Sequence, residues 1–307
     1  MRMSILTLDV GGTAIKSALF SESGTILEQG ESDSCASQGA PVLLDTVFRI
    51  IDTYFMSANG SPQAIGISTA GQVDAQTGTI LYANDNIPGY TGVELKSLLS
   101  RRFGIPVAVE NDVNAAALGE AHFGAGREAR DFLCLTYGTG IGGAIIINRK
   151  LYAGELMVAG EMGHIITHAG GLRCACGGHG CYEQYASVSA LCRSAAAYHP
   201  RFHSGRAIFD ALPSDSGLKR VVDQWIEEIL LGLVSITHIF APSLLVLGGG
   251  VMTQPYLIKR IQDRLTQEVM PRYRGVRIAP AMLRNTAGLY GAYSLAKALL
   301  PSMPPDD

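Results

Sequence analysis

The sequence predicts an α/β protein built from two related lobes, and three observations carry that prediction. Strand-like apolar runs alternate with segments of helical periodicity, the pattern of a sheet covered by helices. Leu6-Thr7-Leu8-Asp9-Val10-Gly11-Gly12 is echoed by Leu133-Cys134-Leu135-Thr136-Tyr137-Gly138-Thr139, with both leucines and the first turn glycine repeated. Glycine occurs 36 times in 307 residues, where average usage of about 7% gives roughly 21, and the surplus gathers at three strand ends. Glycine is costly to order, so such clusters mark backbone that turns sharply or approaches a ligand closely.

Taken in chain order, Ser4 to Val10, Ile15 to Phe20 and Thr25 to Glu31 read as a three-stranded meander, broken by Gly11-Gly12-Thr13 and Ser23-Gly24. Leu43, Val47, Ile50, Ile51, Tyr54 and Phe55 recur at helical spacing, and Ala64 to Ser68 is a short buried strand. Val107 to Glu110 is another strand, and Asp112 to His122 a helix entered through Asn111-Asp112. Phe132 to Tyr137, a glycine turn and Ile145 to Ile147 open the second lobe. Val221 to Phe240 is a long amphipathic helix, Leu244 to Leu247 a strand ending in Gly248-Gly249-Gly250, and Ala287 to Leu300 a closing helix. The tail from Pro301 cannot continue it. The expected division is 1-111 for the first lobe, with 287-300 packing back on it, and 112-286 for the second.

Composition narrows the function classes. A length of 307 residues suits two domains, and 47% hydrophobic with 17% charged residues is that of an ordinary globular chain. A net charge of −3 gives no electrostatic footprint for nucleic acid or anionic membrane. No window approaches 18 consecutive apolar residues, and Met1-Arg2-Met3-Ser4 runs into a strand without a signal-peptide pattern, so a cytoplasmic location is expected.

Glycines at strand ends expose backbone N–H groups that can hold phosphate. The Walker pattern is absent. Gly138-Thr139-Gly140-Ile141-Gly142-Gly143 satisfies G-x-G-x-x-G, but a β-branched strand follows it rather than the helix a dinucleotide fingerprint requires. Any one cluster could be a plain hairpin turn. Three of them, two with Thr beside Gly, point to a shared nucleotide-phosphate site.

Of six cysteines, Cys174, Cys176 and Cys181 crowd into eight residues with glycines between them. In a reducing compartment that spacing points to zinc, one ligand short of a tetrahedron. His164, His168 and His179 are the candidates for the fourth. His179 lies where the chain must curl around the ion, which favours His164, ten residues upstream of Cys174.

Gly160-Glu161-Met162-Gly163-His164 followed by Cys-x-Cys-Gly-x-x-Gly-Cys-x-Glu resembles the paired signature of the ROK family, which contains bacterial sugar kinases, N-acetylmannosamine kinases and sugar-responsive repressors. Leu8-Asp9-Val10-Gly11-Gly12-Thr13 resembles its first phosphate segment, Glu110-Asn111-Asp112-Val113-Asn114-Ala115 its catalytic segment, and Gly138 to Gly143 its second phosphate segment. Ala144 departs from the many members that continue with another glycine. The resemblance implies a two-lobed, actin-like and hexokinase-like (ribonuclease H-like) fold with a duplicated core and a zinc loop over 164-183, and an ATP-dependent kinase acting on a hexose or N-acetylhexosamine, most often at the 6-hydroxyl.

It further implies Asp112 as the base that takes the proton of the attacked hydroxyl, chemistry that stands without the family because an alcohol is a poor nucleophile. The competing reading is that Asp112 caps the following helix, which Asn111 can do equally well. Sugar contacts fall on Gly71, Asn111, Asp112, Glu161, His164 and Glu183, with His164 binding zinc through one ring nitrogen and facing the sugar with the other. Asp9 is expected to act through Mg²⁺ or its waters. Gly11, Gly12 and Thr13, then Thr139, Gly140 and Gly142, face the phosphates, and Gly249 with Gly250 the nucleoside. The metal ligands are His164, Cys174, Cys176 and Cys181. Ligands at a junction of lobes imply closure that excludes water. A homodimer is the family expectation. The alternative is a sugar-sensing regulator, which carries a helix-turn-helix segment ahead of the first phosphate motif, where this sequence has eight residues before Asp9.

Overall fold

The computed structural model describes residues 3–57 and 61–301, so the expected tail beyond Pro301 lies outside the described residues. Along the chain run β1 (Ser4–Val10), β2 (Ala14–Ser21), β3 (Ile26–Asp33), α1 (Ala40–Phe55), β4 (Ala64–Thr69), β5 (Gln72–Asp74), β6 (Thr79–Tyr82), α2 (Leu95–Phe103), β7 (Val107–Asn111) and α3 (Asp112–Phe123). There follow β8 (Phe132–Tyr137), β9 (Ile141–Ile147), β10 (Lys150–Leu151), α4 (Glu183–Ala186), α5 (Val188–Tyr198), α6 (Gly205–Ala211) and α7 (Ser216–Phe240). The chain closes with β11 (Leu244–Gly248), α8 (Pro255–Glu268), β12 (Arg277–Pro280) and α9 (Ala287–Lys297). None of the described helices is long and apolar enough to cross a membrane.

Two compact units result, one of Met1–Phe123, Ala153–Val158 and Asn285–Asp307, the other of Gly124–Tyr152 and Ala159–Arg284. The division after Phe123 differs from the expected one after residue 111. Its physical reason is that α3 packs along α9 and stays with the first unit.

The first unit's sheet has strand order β3-β2-β1-β4-β7 and the second's β10-β9-β8-β11-β12. In each, an antiparallel meander supplies one half and parallel crossovers the other. The echo between the two glycine-turn segments is therefore a repeat of topology, and β1 and β8 are equivalent central strands.

Period-two alternation assigns the faces of the first sheet. Leu6, Leu8 and Val10 of β1 join Ile65 and Ile67 of β4 in a core closed by α1 and α2. Ile5 and Ala64 face the other way, against Leu289, Tyr293 and Ala296 of α9. Asp9 and Ser68 thereby fall on the α9 face, at the open end of the same two strands. In the second unit, Leu133, Leu135, Tyr137, Leu245 and Leu247 pack on one core with the buried face of α7, including Trp225, Ile229 and Leu233.

Candidate active site

In the first unit the predicted residues gather at the ends of β1, β4 and β7. Asp9 sits opposite Lys16 across the hairpin and level with Ser68 on the parallel neighbour, whose hydroxyl donates to Asp9 Oδ1 at 2.6 Å. Burial pushes the Asp9 carboxyl above its ordinary value, and the Ser68 hydrogen bond and the charge of Lys16 pull it back only in part. Gly11 N–H closes the turn on Ala14 O at 3.0 Å, while Gly12 is exposed with open space where a side chain would project. Thr13 O accepts from Ser34 N–H at 3.0 Å.

The strand-to-helix junction at Asn111-Asp112 resolves the capping question. Asn111 Oδ1 accepts from the N–H groups of Val113 at 3.0 Å and Asn114 at 3.1 Å, which makes Asn111 the cap of α3. Its amide donates to Gly71 O at 2.8 Å and to Asp112 Oδ1 at 2.9 Å. Glu110, buried behind it, accepts from Asn111 N–H at 2.9 Å and from the Asn114 amide at 3.1 Å. Asp112 Oδ1 also accepts from Val113 N–H at 2.9 Å, and Asp112 remains open to solvent. Although the residue keeps an exposed edge, desolvation of its carboxyl by the groups packed around it, with the negative charge of Asp9 added, pushes the Asp112 carboxyl up to about 6. A carboxylate in that range exchanges protons near neutral pH, as a general base must.

In the second unit the structure brings His164, Cys174, Cys176 and Cys181 together, with one ligand atom of each within 4.8 Å of the others. His164 Nδ1 is 3.7 Å from Cys174 Sγ, and the sulfurs of Cys176 and Cys181 are 3.6 Å apart. Zinc bonds of about 2.3 Å to sulfur and 2.0 Å to nitrogen at tetrahedral angles give edges of roughly 3.5 to 3.8 Å, so the four groups fit zinc. His168 is engaged elsewhere, stacked on Tyr185 with ring centroids 3.8 Å apart and paired with Glu228 at 3.5 Å. His179 pairs through its backbone with Arg173 and does not enter the group. Burial pushes the Cys174 thiol up to about 12, whereas the Gly178 N–H holds Cys176 below its ordinary value.

His164 Nε2 lies 3.9 Å from Glu161 Oε2, so the ring nitrogen turned away from the sulfurs faces a carboxylate. Glu183 lies close to both the thiols and the second glycine turn. Its Oε1 accepts from Cys174 Sγ at 3.2 Å and its Oε2 is 3.4 Å from Ile141 N. A Cβ on Gly140 would stand 2.4 Å from that same Oε2.

A cavity of about 690 Å³ opens in this unit and is lined by Gly138, Thr139 and Gly250 together with Cys192, His203 and Arg206. The second and third glycine clusters thus meet at one cavity, of the size that small-molecule ligands fill. Gly140, Gly142 and Gly249 are not among its lining residues. Gly142 pairs with Thr136 inside the β8/β9 hairpin. Gly249 has φ 109° and a Cβ there would lie 2.0 Å from Tyr137 O, so backbone packing alone demands glycine.

Sequence reasoning missed Ser68 and the α6 residues around Arg206. Ser68 was legible only as the end of a buried strand, and the 188–214 segment offered no motif.

Comparison with known proteins covers nearly the whole chain. The sequence profile of the ROK family matches residues 5–299. A glucokinase of Streptomyces coelicolor is 35% identical, over 96% of this chain and 98% of its own. The ROK hexokinase from Thermus thermophilus superposes with a TM-score of 0.82 at 31% identity, covering 97% of this chain and 99% of that one. A ROK family glucokinase from Streptomyces griseus, solved in complex with glucose and AMPPNP, gives 0.81 at 33% identity, covering 96% and 99%.

Proposed function

The chain belongs to the ROK family, and from that premise we propose that it is an ATP-dependent sugar kinase that phosphorylates a hexose or N-acetylhexosamine at the 6-hydroxyl. The observation that carries the reading is Asp112, a carboxylate raised to about 6 at a capped strand-to-helix junction. The acceptor oxygen attacks the γ-phosphorus, the bond to the ADP oxygen breaks, and the hydroxyl proton passes to Asp112. Asn111 fixes that carboxylate by donating to Oδ1. Glu161, His164 and Glu183 in the second unit serve the sugar hydroxyls, for which carboxylates and an oriented imidazole are suited partners.

Two metals belong to this reading. The charge of Asp9 raises the cost of ionising Asp112, while Lys16 is the cation acting on Asp9; the Asp9 carboxylate suits a hard divalent ion, and Mg²⁺ held there would neutralise triphosphate charge. Zinc held by His164, Cys174, Cys176 and Cys181 would fix the imidazole tautomer, and with Nδ1 as the ligand atom it would leave Nε2–H for the sugar or Glu161. Adenosine is assigned to the cavity at Thr139 and Gly250, with Gly11, Gly12 and Thr13 on the transferred phosphate.

The test is ADP release over a panel of hexoses and N-acetylhexosamines, repeated with Asp112→Asn. We expect release with at least one sugar, a fall in kcat on the order of 10²–10⁴ in the variant, and sugar affinity kept within a few-fold. No release with any sugar would favour a sugar-binding regulator, and an active variant would remove Asp112 as base.

A further inference from the structure

The reading above gives Asp9 a role at the nucleotide's cation but leaves open what aims its carboxylate. Asp9 lies at the end of a strand whose alternate residues face α9. On the parallel neighbour Ser68 sits level with it, fully buried, and donates to Asp9 Oδ1 at 2.6 Å. A buried hydroxyl that donates to a carboxylate satisfies itself and uses one of the two oxygens.

Above this pair stands the first turn of α9. A Cβ built on Gly288 would lie 2.8 Å from Ser68 Oγ, 2.9 Å from Asp9 Oδ1 and 3.0 Å from Asp9 Cγ. The helix comes this near because Gly66, on the same face of β4, offers no side chain to Ala292, whose carbonyl oxygen would be 2.1 Å from a Cβ there. Any side chain at 288 displaces the Asp9–Ser68 pair or the helix.

The second unit supplies a control. At the equivalent register of its sheet, Thr136 of β8 stands beside Gly248 of β11. Where the central strand carries no acid, the neighbouring strand carries no hydroxyl.

We propose that Ser68 and Gly288 are positioning residues for the cation: Ser68 fixes Oδ1 of Asp9, and Gly288 by lacking a side chain holds the pair in one arrangement, so that the second oxygen is presented to Mg²⁺ or its waters. The proposal rests on the reading of Asp9 as the cation's carboxylate.

The experiment is calorimetric titration of ADP without sugar, over a series of Mg²⁺ concentrations, on wild type, Ser68→Ala, Asp9→Asn, the double variant and Gly288→Ala. Ser68→Ala is expected to raise the Mg²⁺ concentration at half-effect about tenfold, with ADP affinity in the absence of Mg²⁺ unchanged. Gly288→Ala moves it the same way. The double variant shifts no further than Asp9→Asn alone. Ser68→Cys, which keeps a weak donor in the same space, gives a smaller shift and covers the case in which the alanine variant folds poorly. If Asp9→Asn raises the midpoint and Ser68→Ala or Ser68→Cys leaves it at the wild-type value, the positioning role is overturned while the reading of Asp9 stands. If Asp9→Asn leaves the midpoint unmoved, that reading fails and this proposal with it. Additive shifts in the double variant would mean that Ser68 acts other than through Asp9.

Discussion

The two glycine turns, Gly11-Gly12 after β1 and Gly138 to Gly140 after β8, sit at the same place in sheets of the same strand order, yet they are chemically unlike. Beside the first stand the carboxyls of Asp9 and Asp112, both raised above their ordinary values, with the Ser68 hydroxyl donating to Asp9. The second has Thr136 and Gly248 at the matching register and opens on a cavity lined by Thr139 and Gly250. Duplicated topology thus repeats the loop geometry that can meet phosphate, while the side chain at one register position sets its chemistry.

The largest expected effect tests whether that register position carries the difference. Asp9→Asn should lower kcat/KM on the order of a hundredfold, whereas Thr136→Val at the equivalent position should cost less than about threefold. Equal losses would break the comparison. A second contrast is that the thiol cluster belongs to the second unit alone among the described residues. Chelation should therefore lower the melting temperature by at least several degrees, with zinc restoring it. Because the raised Cys174 and Cys181 thiols must lose protons to bind metal, zinc retention should weaken as pH falls.

The next test compares alanine at the two turns. Gly12→Ala meets open space, so its effect should be confined to the nucleotide, with the KM for ATP rising about tenfold and that for sugar unchanged. Gly140→Ala presses on Glu183 and should raise both KM values. A nucleotide-only effect at Gly140 would separate Glu183 from the sugar. The smallest effect concerns pH. A base at Asp112, as proposed, works only when ionised, so kcat/KM should fall as pH drops through about 6. The charge of Asp9 helps hold that value up, so in the residual activity of Asp9→Asn the acid limb should move to lower pH by less than about one unit.

Much of this was legible in the sequence where local rules decide. The β1 and β8 strands, the helix after Asp112 and the closing helix follow from periodicity and from the polar exit at Glu110-Asn111-Asp112. The thiol spacing pointed to a metal loop and favoured His164 among three candidate histidines. Distances add what spacing alone cannot: His168 and His179 are as near in sequence as His164, yet His168 stacks on Tyr185 and the backbone of His179 pairs with Arg173, while His164 gathers with the thiols. Gly249 read like a ligand glycine because composition does not distinguish a backbone that meets a nucleotide from one that meets Tyr137 O.

By itself the sequence determined the α/β class, the repeated strand-turn-strand openings, the metal-binding composition of 164-183 and the acid at the head of α3, since each depends on neighbours within a few residues. Only the tertiary structure decided that α3 belongs with α9 in the first unit, that Ser68 donates to Asp9 across 59 residues of chain, and that Gly288 leaves room for that pair. The physical reason is that strand register and helix packing bring together groups distant in sequence, and local pattern carries no record of which distant partner a buried hydroxyl or a bare Cα will meet.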